Sequence, residues 1–147
     1  MKSFDYRSEG AYFITLCTLR REPCLSSILL SPPTEGNVQK AQVILLPYGE
    51  IAERYLLSMP GIAQYVIMPN HIHAILFLNS AEHSLPQLVR SYKTMVTKAV
   101  GKPLFQRSFF DHVIRGEKDF HSIQHYIDHN PSQWAEDRYF SPTIEVH

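Results

Sequence analysis

The stretch Met68-Pro69-Asn70-His71-Ile72-His73-Ala74-Ile75-Leu76-Phe77-Leu78 decides how this chain is read. Its apolar, partly β-branched half from Ile72 to Leu78 reads as a strand. Tyr65-Val66-Ile67-Met68 before it reads as a second, the two bent at Pro69-Asn70. Side chains alternate along a strand, so His71 and His73 share one face while Ile72 enters the other. Histidine is the commonest metal-binding side chain, and an apolar residue between two of them anchors the pair without competing for an ion. On spacing alone, ordinary surface or packing chemistry is the commoner use of such a pair.

Other segments fit around these strands. Tyr12 to Thr18 is β-branched and aromatic and reads as a first strand. Ser26 to Lys40, with two consecutive prolines, Gly36 and Asn37, reads as a surface connection or an irregular insertion. Gln42 to Leu46 is a short strand stopped by Pro47, and Gly49 to Met59 carries helix-spaced Ile51, Ala52, Tyr55 and Leu56. Ser84 is a candidate N-cap for a helix whose stripe runs through Leu88, Tyr92, Met95, Val96 and Ala99 and closes at Gly101 and Pro103. Phe105 to Ile114 is extended and aromatic-rich, and a last helix runs from about Glu117 to Asn130, halted by Pro131. The tail after Trp134 is expected to be partly ordered. Strands and helices mix without strict alternation or repeat, which predicts an α+β domain: one mainly antiparallel sheet with helices packed on a face, spanning residues 1–147 as a single unit.

Composition narrows the class. A chain of 147 residues that is 44% apolar supports one globular domain. The N-terminus is polar and no apolar run approaches the roughly 20 residues of a membrane span, so a cytoplasmic protein without membrane contact is expected. Cys17 and Cys24 are too few for a disulfide framework and read as reduced. Net charge is zero, which argues against coating nucleic acid by long-range attraction. The distribution is more telling. From His83 to Phe110 there is no acidic residue, whereas Arg90, Lys93, Lys98, Lys102 and Arg107 all fall inside. A basic run is usually a solvated face. These cations, however, are interleaved with Tyr92, Phe105, Phe109 and Phe110, a mixture that suits a phosphate backbone with unstacked bases.

On a helical wheel Phe120, Ile123 and Ile127 lie within about 60° and define the buried face of the last helix. Tyr126 and Asn130, four apart, are neighbours at the edge of that stripe. His121, His125 and His129 fall outward, and without a Glu in a His-Glu-x-x-His pattern they read as solvent-exposed. A tyrosine flanking a core is ordinarily a packed ring with its hydroxyl at the water boundary. A carboxamide one turn along changes its prospects, because two imidazoles and an amide oxygen make a three-ligand open metal site. A phenol ordinarily titrates near 10, and a nearby cation is what would make it a nucleophile near neutrality.

Taken in order, Met68-Pro69-Asn70-His71-Ile72-His73, Phe105-Gln106-Arg107-Ser108-Phe109-Phe110-Asp111-His112-Val113-Ile114-Arg115 and Tyr126-Ile127-Asp128-His129-Asn130-Pro131 make the chain resemble the REP-associated tyrosine transposases. These belong to the single-tyrosine HUH (His-hydrophobe-His) nucleases, with the insertion-sequence-200-like transposases. The likeness runs from the first strand to Trp134. It implies a ferredoxin-like α+β fold and an endonuclease and strand transferase of DNA transposition and recombination, dependent on Mg2+ or Mn2+ and acting on hairpin-bearing single-stranded DNA through a 5′-phosphotyrosine intermediate. By the same resemblance His71 and His73 are the metal pair, Tyr126 the nucleophile and Asn130 the third ligand, standing where a close branch uses the longer Gln.

Arg90, Lys93, Lys98, Lys102 and Arg107 are the candidate phosphate contacts, with Tyr92 or Phe109 stacking on a base. Two rivals remain open: a metal-dependent hydrolase using a water and a carboxylate such as Asp128, and a non-catalytic nucleic-acid-binding module with structural histidines. The sequence leaves open a homodimer, in which one chain's tyrosine would serve the other's histidines.

Overall fold

The computed structural model describes residues 10–31, 40–79 and 82–140, with side chains to Trp134. β1 (Gly10–Cys17) is followed by a 3₁₀ turn (Leu19–Arg21), β2 (Ser26–Leu30), β3 (Ala41–Leu45), α1 (Pro47–Leu57), β4 (Ile62–Ile67), β5 (His71–Leu78), α2 (Leu85–Val100), β6 (Phe110–Val113) and α3 (Glu117–Phe140). The main sheet has the order β4-β5-β1-β6, and every neighbouring pair is antiparallel. With β1-α1-β4-β5-α2-β6 as its chain order, this is the ferredoxin-like βαββαβ arrangement. β2 and β3 pair as a separate hairpin inserted between β1 and α1, and α3 is appended after β6.

Alternation along β1 and β5 feeds two cores. Ile14, Leu16, Ile72, Ala74 and Leu76 face Ala52 and Leu56 of α1 and Leu88, Val89 and Val96 of α2. On the opposite face Ala11, Ile75, Phe13 and Phe77 pack with Ile114 and with Phe120, Ile123 and Ile127 of α3. Helices therefore cover both faces, not one. α3 has its own side of the sheet, the side that carries His71 and His73. Ser84 caps α2 as expected, its hydroxyl accepting from the Gln87 amide, and Gly101 ends the helix at φ 94°.

Several local expectations are corrected. Ser26 to Lys40 is not a loop throughout, since Ser26–Leu30 forms β2; residues 32–39 lie outside the described residues. β3 ends at Leu45, ahead of Pro47 as expected, but α1 begins before Gly49, with Pro47 in its first turn, where its missing N–H would have no partner anyway. Pro131 does not halt α3, which runs on to Phe140 and packs against both β2 and β3. Only one intrahelical bond, to the Ile127 carbonyl, is lost at Pro131, and docking on the hairpin offsets it. The stretch after Trp134 is thus helical to Phe140, and 141–147 lie outside the described residues. The expected extended segment Phe105 to Ile114 reduces to β6 and a single bridge between Thr18 and Phe105.

Candidate metal and tyrosine site

β5 places His71 and His73 side by side on the α3 face, ring centroids 4.6 Å apart. Thr15 is the cross-strand partner of His73 on β1, and its Oγ1 lies 2.8 Å from His73 Nδ1. Asn70, at the turn between β4 and β5, sets its Oδ1 2.7 Å from His71 Nδ1. Both imidazoles are thus held through Nδ1. Phe13 stacks on His73 with centroids 5.2 Å apart and meets the Tyr126 ring edge-on at 6.1 Å.

α3 completes the site. The Tyr126 ring lies 5.2 Å from that of His73, and the Asn130 carboxamide hydrogen-bonds His71. Asn130 is buried while Tyr126 is 50% exposed. Trp134, one turn past Asn130, brings its ring to 6.3 Å from His71. The four residues expected at the centre, His71, His73, Tyr126 and Asn130, therefore converge within one chain. Gln64 of β4 ties the helix down beside them, donating to the Asp128 carboxylate at 2.9 Å and to the Gln124 carbonyl at 3.5 Å.

Burial holds both imidazoles neutral. The His71 pKa is lowered from 6.5 to about 4 by desolvation, opposed by the hydrogen bond to Asn130 and assisted by the Arg21 charge; that of His73 falls to about 3 by desolvation and by its neighbour His71. A neutral imidazole is the form that binds a metal. The donor set fits a divalent cation: two neutral rings, each held through Nδ1, and a carboxamide beside them. Among the described residues no cluster of three His, Cys, Asp or Glu exists.

The same shifts predict the acid limb of stability. Each folded pKa lies below the ordinary 6.5, so as pH falls the unfolded chain binds protons first. The contribution is complete above about pH 6.5 and is lost as pH falls from there towards 4 and then 3, on the order of a few kcal/mol in total. Thermal unfolding of the metal-free protein will show a falling Tm already between about pH 6.5 and 5, where carboxylates do not yet titrate. A flat Tm across that window would contradict the buried neutral pair.

The proposed DNA contacts divide. Arg90 and Lys98 on α2, and Lys102 and Arg107 on the loop after it, are exposed. That loop lies beside the site, because the Gln106 amide donates to the carbonyl of Cys17, the cross-strand partner of His71. Tyr92 is a correction: it is 1% exposed, packed in the α1–α2 core with its hydroxyl donating to the Ala52 carbonyl, so it cannot stack on a base. Its position on the apolar stripe of α2 was the signal that should have settled this. Lys93 spends its ammonium on the carbonyls of Gln106, Arg107 and Ser108 at 2.7, 2.9 and 3.4 Å, which makes it a loop fastener. Phe109 is half-buried against the core. His121, His125 and His129 point outward as expected, with the last two rings stacked at 3.8 Å. Thr15, Phe13, Gln64 and Trp134 were not singled out by sequence, because their roles arise from neighbours far along the chain.

No family model matches the chain. It is 31% identical to an uncharacterized protein of Haemophilus influenzae, across 95% of this chain and 90% of that one. It is 34% identical to the REP-associated tyrosine transposase of Escherichia coli over a shorter segment, 46% of this chain and 41% of that one. Among solved structures, a REP-associated tyrosine transposase bound to a REP hairpin superposes with a TM-score of 0.64 at 22% identity, covering 90% of this chain and 74% of that one. A candidate transposase of Deinococcus radiodurans superposes with a TM-score of 0.52 at 16% identity, covering 87% and 95%.

Proposed function

We propose that the chain is a divalent-metal-dependent enzyme of the REP-associated tyrosine transposase kind, one that cuts and rejoins single-stranded DNA through Tyr126; a 34% identity to such a transposase over about half of this chain and a shared fold over 90% of it support the reading. One observation carries this reading: a phenol from α3 lies against an imidazole of β5, 5.2 Å ring to ring, with Asn130 bonded to the other imidazole. The solved relative holds a REP hairpin, and a hairpin-bearing single strand is the substrate class we assign here.

Tyr126 is the nucleophile. Its oxygen forms a bond to phosphorus, the bond from phosphorus to O3′ breaks, and the proton passes to the departing 3′-hydroxyl side. The product is a 5′-phosphotyrosine that conserves the diester energy, so another 3′-hydroxyl can reverse the step and join a new strand. His71, His73 and Asn130 would hold Mg2+ or Mn2+, which offsets charge on the non-bridging oxygens when bound. Thr15 and Asn70 keep the imidazoles in place. Phe13 and Trp134 flank them and exclude water. The carboxylate named for the hydrolase reading, Asp128, is exposed and accepts a hydrogen bond from Gln64.

The test is incubation of the protein with 3′-end-labelled hairpin DNA and Mn2+, followed by a denaturing gel. A label shifted to the size of protein plus DNA is expected, and its absence under all metal conditions would end the proposal. Binding itself will depend on salt. If Arg90, Lys98, Lys102 and Arg107 each neutralise one phosphate of a single strand, affinity falls about 50-fold between about 50 and 200 mM salt. Replacing one of the four with Ala should flatten that slope by roughly 0.7. Fluorescence anisotropy at several salt concentrations measures it, and a salt-independent affinity would remove this surface from the interface.

A further inference from the structure

We propose that Asn70 is a positioning residue that keeps the proton of neutral His71 on Nδ1 and so reserves the Nε2 lone pair for the cation. The inference rests on the metal-site reading above. Its geometry is a relay of fixed polarity. Asn70 Nδ2 donates to the Arg21 carbonyl at 3.4 Å, and a carbonyl has no proton to give, so the amide nitrogen must turn that way. Its oxygen is then the atom 2.7 Å from His71 Nδ1. An amide oxygen only accepts, so Nδ1 must donate, and a neutral ring with one proton there is bare at Nε2.

Backbone geometry supplies an independent observation. Arg20 and Arg21 both have φ of 55°, the left-handed region that non-glycine residues seldom occupy. Such conformations persist where the surroundings over-determine them, commonly at functional sites. Here the turn is held by the Arg21 amide donating to the Thr18 carbonyl at 3.1 Å. Thr18 in turn donates through its amide and its hydroxyl to the Asn70 carbonyl at 3.0 and 3.1 Å. The strained pair thereby brings the Arg21 carbonyl to the Asn70 side chain.

A competitor is present. Asn130 hydrogen-bonds the same ring, and a neutral imidazole has one proton for two carboxamides. Asn70 holds it because its oxygen is already oriented by Arg21. His73 differs. The Thr15 hydroxyl can donate or accept, so it holds that ring without choosing where its proton sits.

Long-range 1H–15N correlation spectra of the metal-free protein read the tautomer directly. His71 is expected as Nδ1–H in the wild type and in N70D, whose oxygens still accept. N70A is expected to shift towards Nε2–H and to bind Mn2+ about 10- to 100-fold more weakly by calorimetry. A wild-type His71 carrying its proton on Nε2, or an N70A protein with the wild-type tautomer, overturns the proposal; the first result decides even if N70A does not fold. A wild-type ring protonated on Nδ1 in a protein that binds no Mn2+ supports the assignment of Asn70 and overturns the metal-site reading instead.

Discussion

Replacing Tyr126 with Phe will abolish the covalent protein–DNA adduct and reduce strand transfer by about a thousandfold or more, the scale on which losing a nucleophile is felt. The change removes one oxygen from a ring that is half exposed and edge-packed on Phe13, so the fold and the buried face of α3 should be untouched. DNA affinity and Mn2+ affinity should stay within about twofold of wild type, because neither rests on the phenol oxygen in the geometry described. That combination separates the readings. A water-using hydrolase would keep cleaving in the Phe variant, and a binding module would show no adduct in either protein. Cleavage that survives the substitution, measured on the same labelled hairpin, would remove Tyr126 from the chemistry.

Removing the cation should cost about as much. Chelation is expected to lower adduct formation by about a thousandfold, reversed on adding Mn2+, since a Lewis acid at a phosphoryl oxygen supplies several kcal/mol of transition-state stabilisation. His71→Ala and His73→Ala should each reproduce that loss, with no further effect of chelator. The two differ in their side effects. His73 is 6% exposed beneath Phe13 and bonded to Thr15, so its removal also leaves a cavity and a lower Tm, whereas His71 is less enclosed. Mn2+ affinity by calorimetry and Tm by scanning calorimetry, taken together, separate lost ligation from lost packing. A chelator-insensitive adduct would show that the histidines serve structure alone.

Much of this was legible in the residues. The alternation of His71, Ile72 and His73 fixed which side chains share a face, because strand periodicity is local and admits no other reading once the strand forms. The i, i+4 relation of Tyr126 and Asn130 was equally local. Tyr92 was misjudged because a ring among cations looks like a base platform in sequence, although its position on an apolar helical stripe already placed it inward. Pro131 was misjudged because a proline penalises a helix locally, whereas the hairpin that carries the helix onward is built from residues about a hundred positions earlier.

By itself the sequence determined most of the strands and helices, the shared face of the two imidazoles and the neighbouring phenol and carboxamide, all consequences of backbone periods that hold in any fold. Only the tertiary structure decided that α3 lies on the histidine face of the sheet, that Thr15 and Asn70 take one nitrogen of each ring, and that Arg21 reaches Asn70 from a left-handed turn. Those facts depend on strand order and on which helix covers which face. They are set by burial summed over the whole chain, and no short window of residues contains that sum.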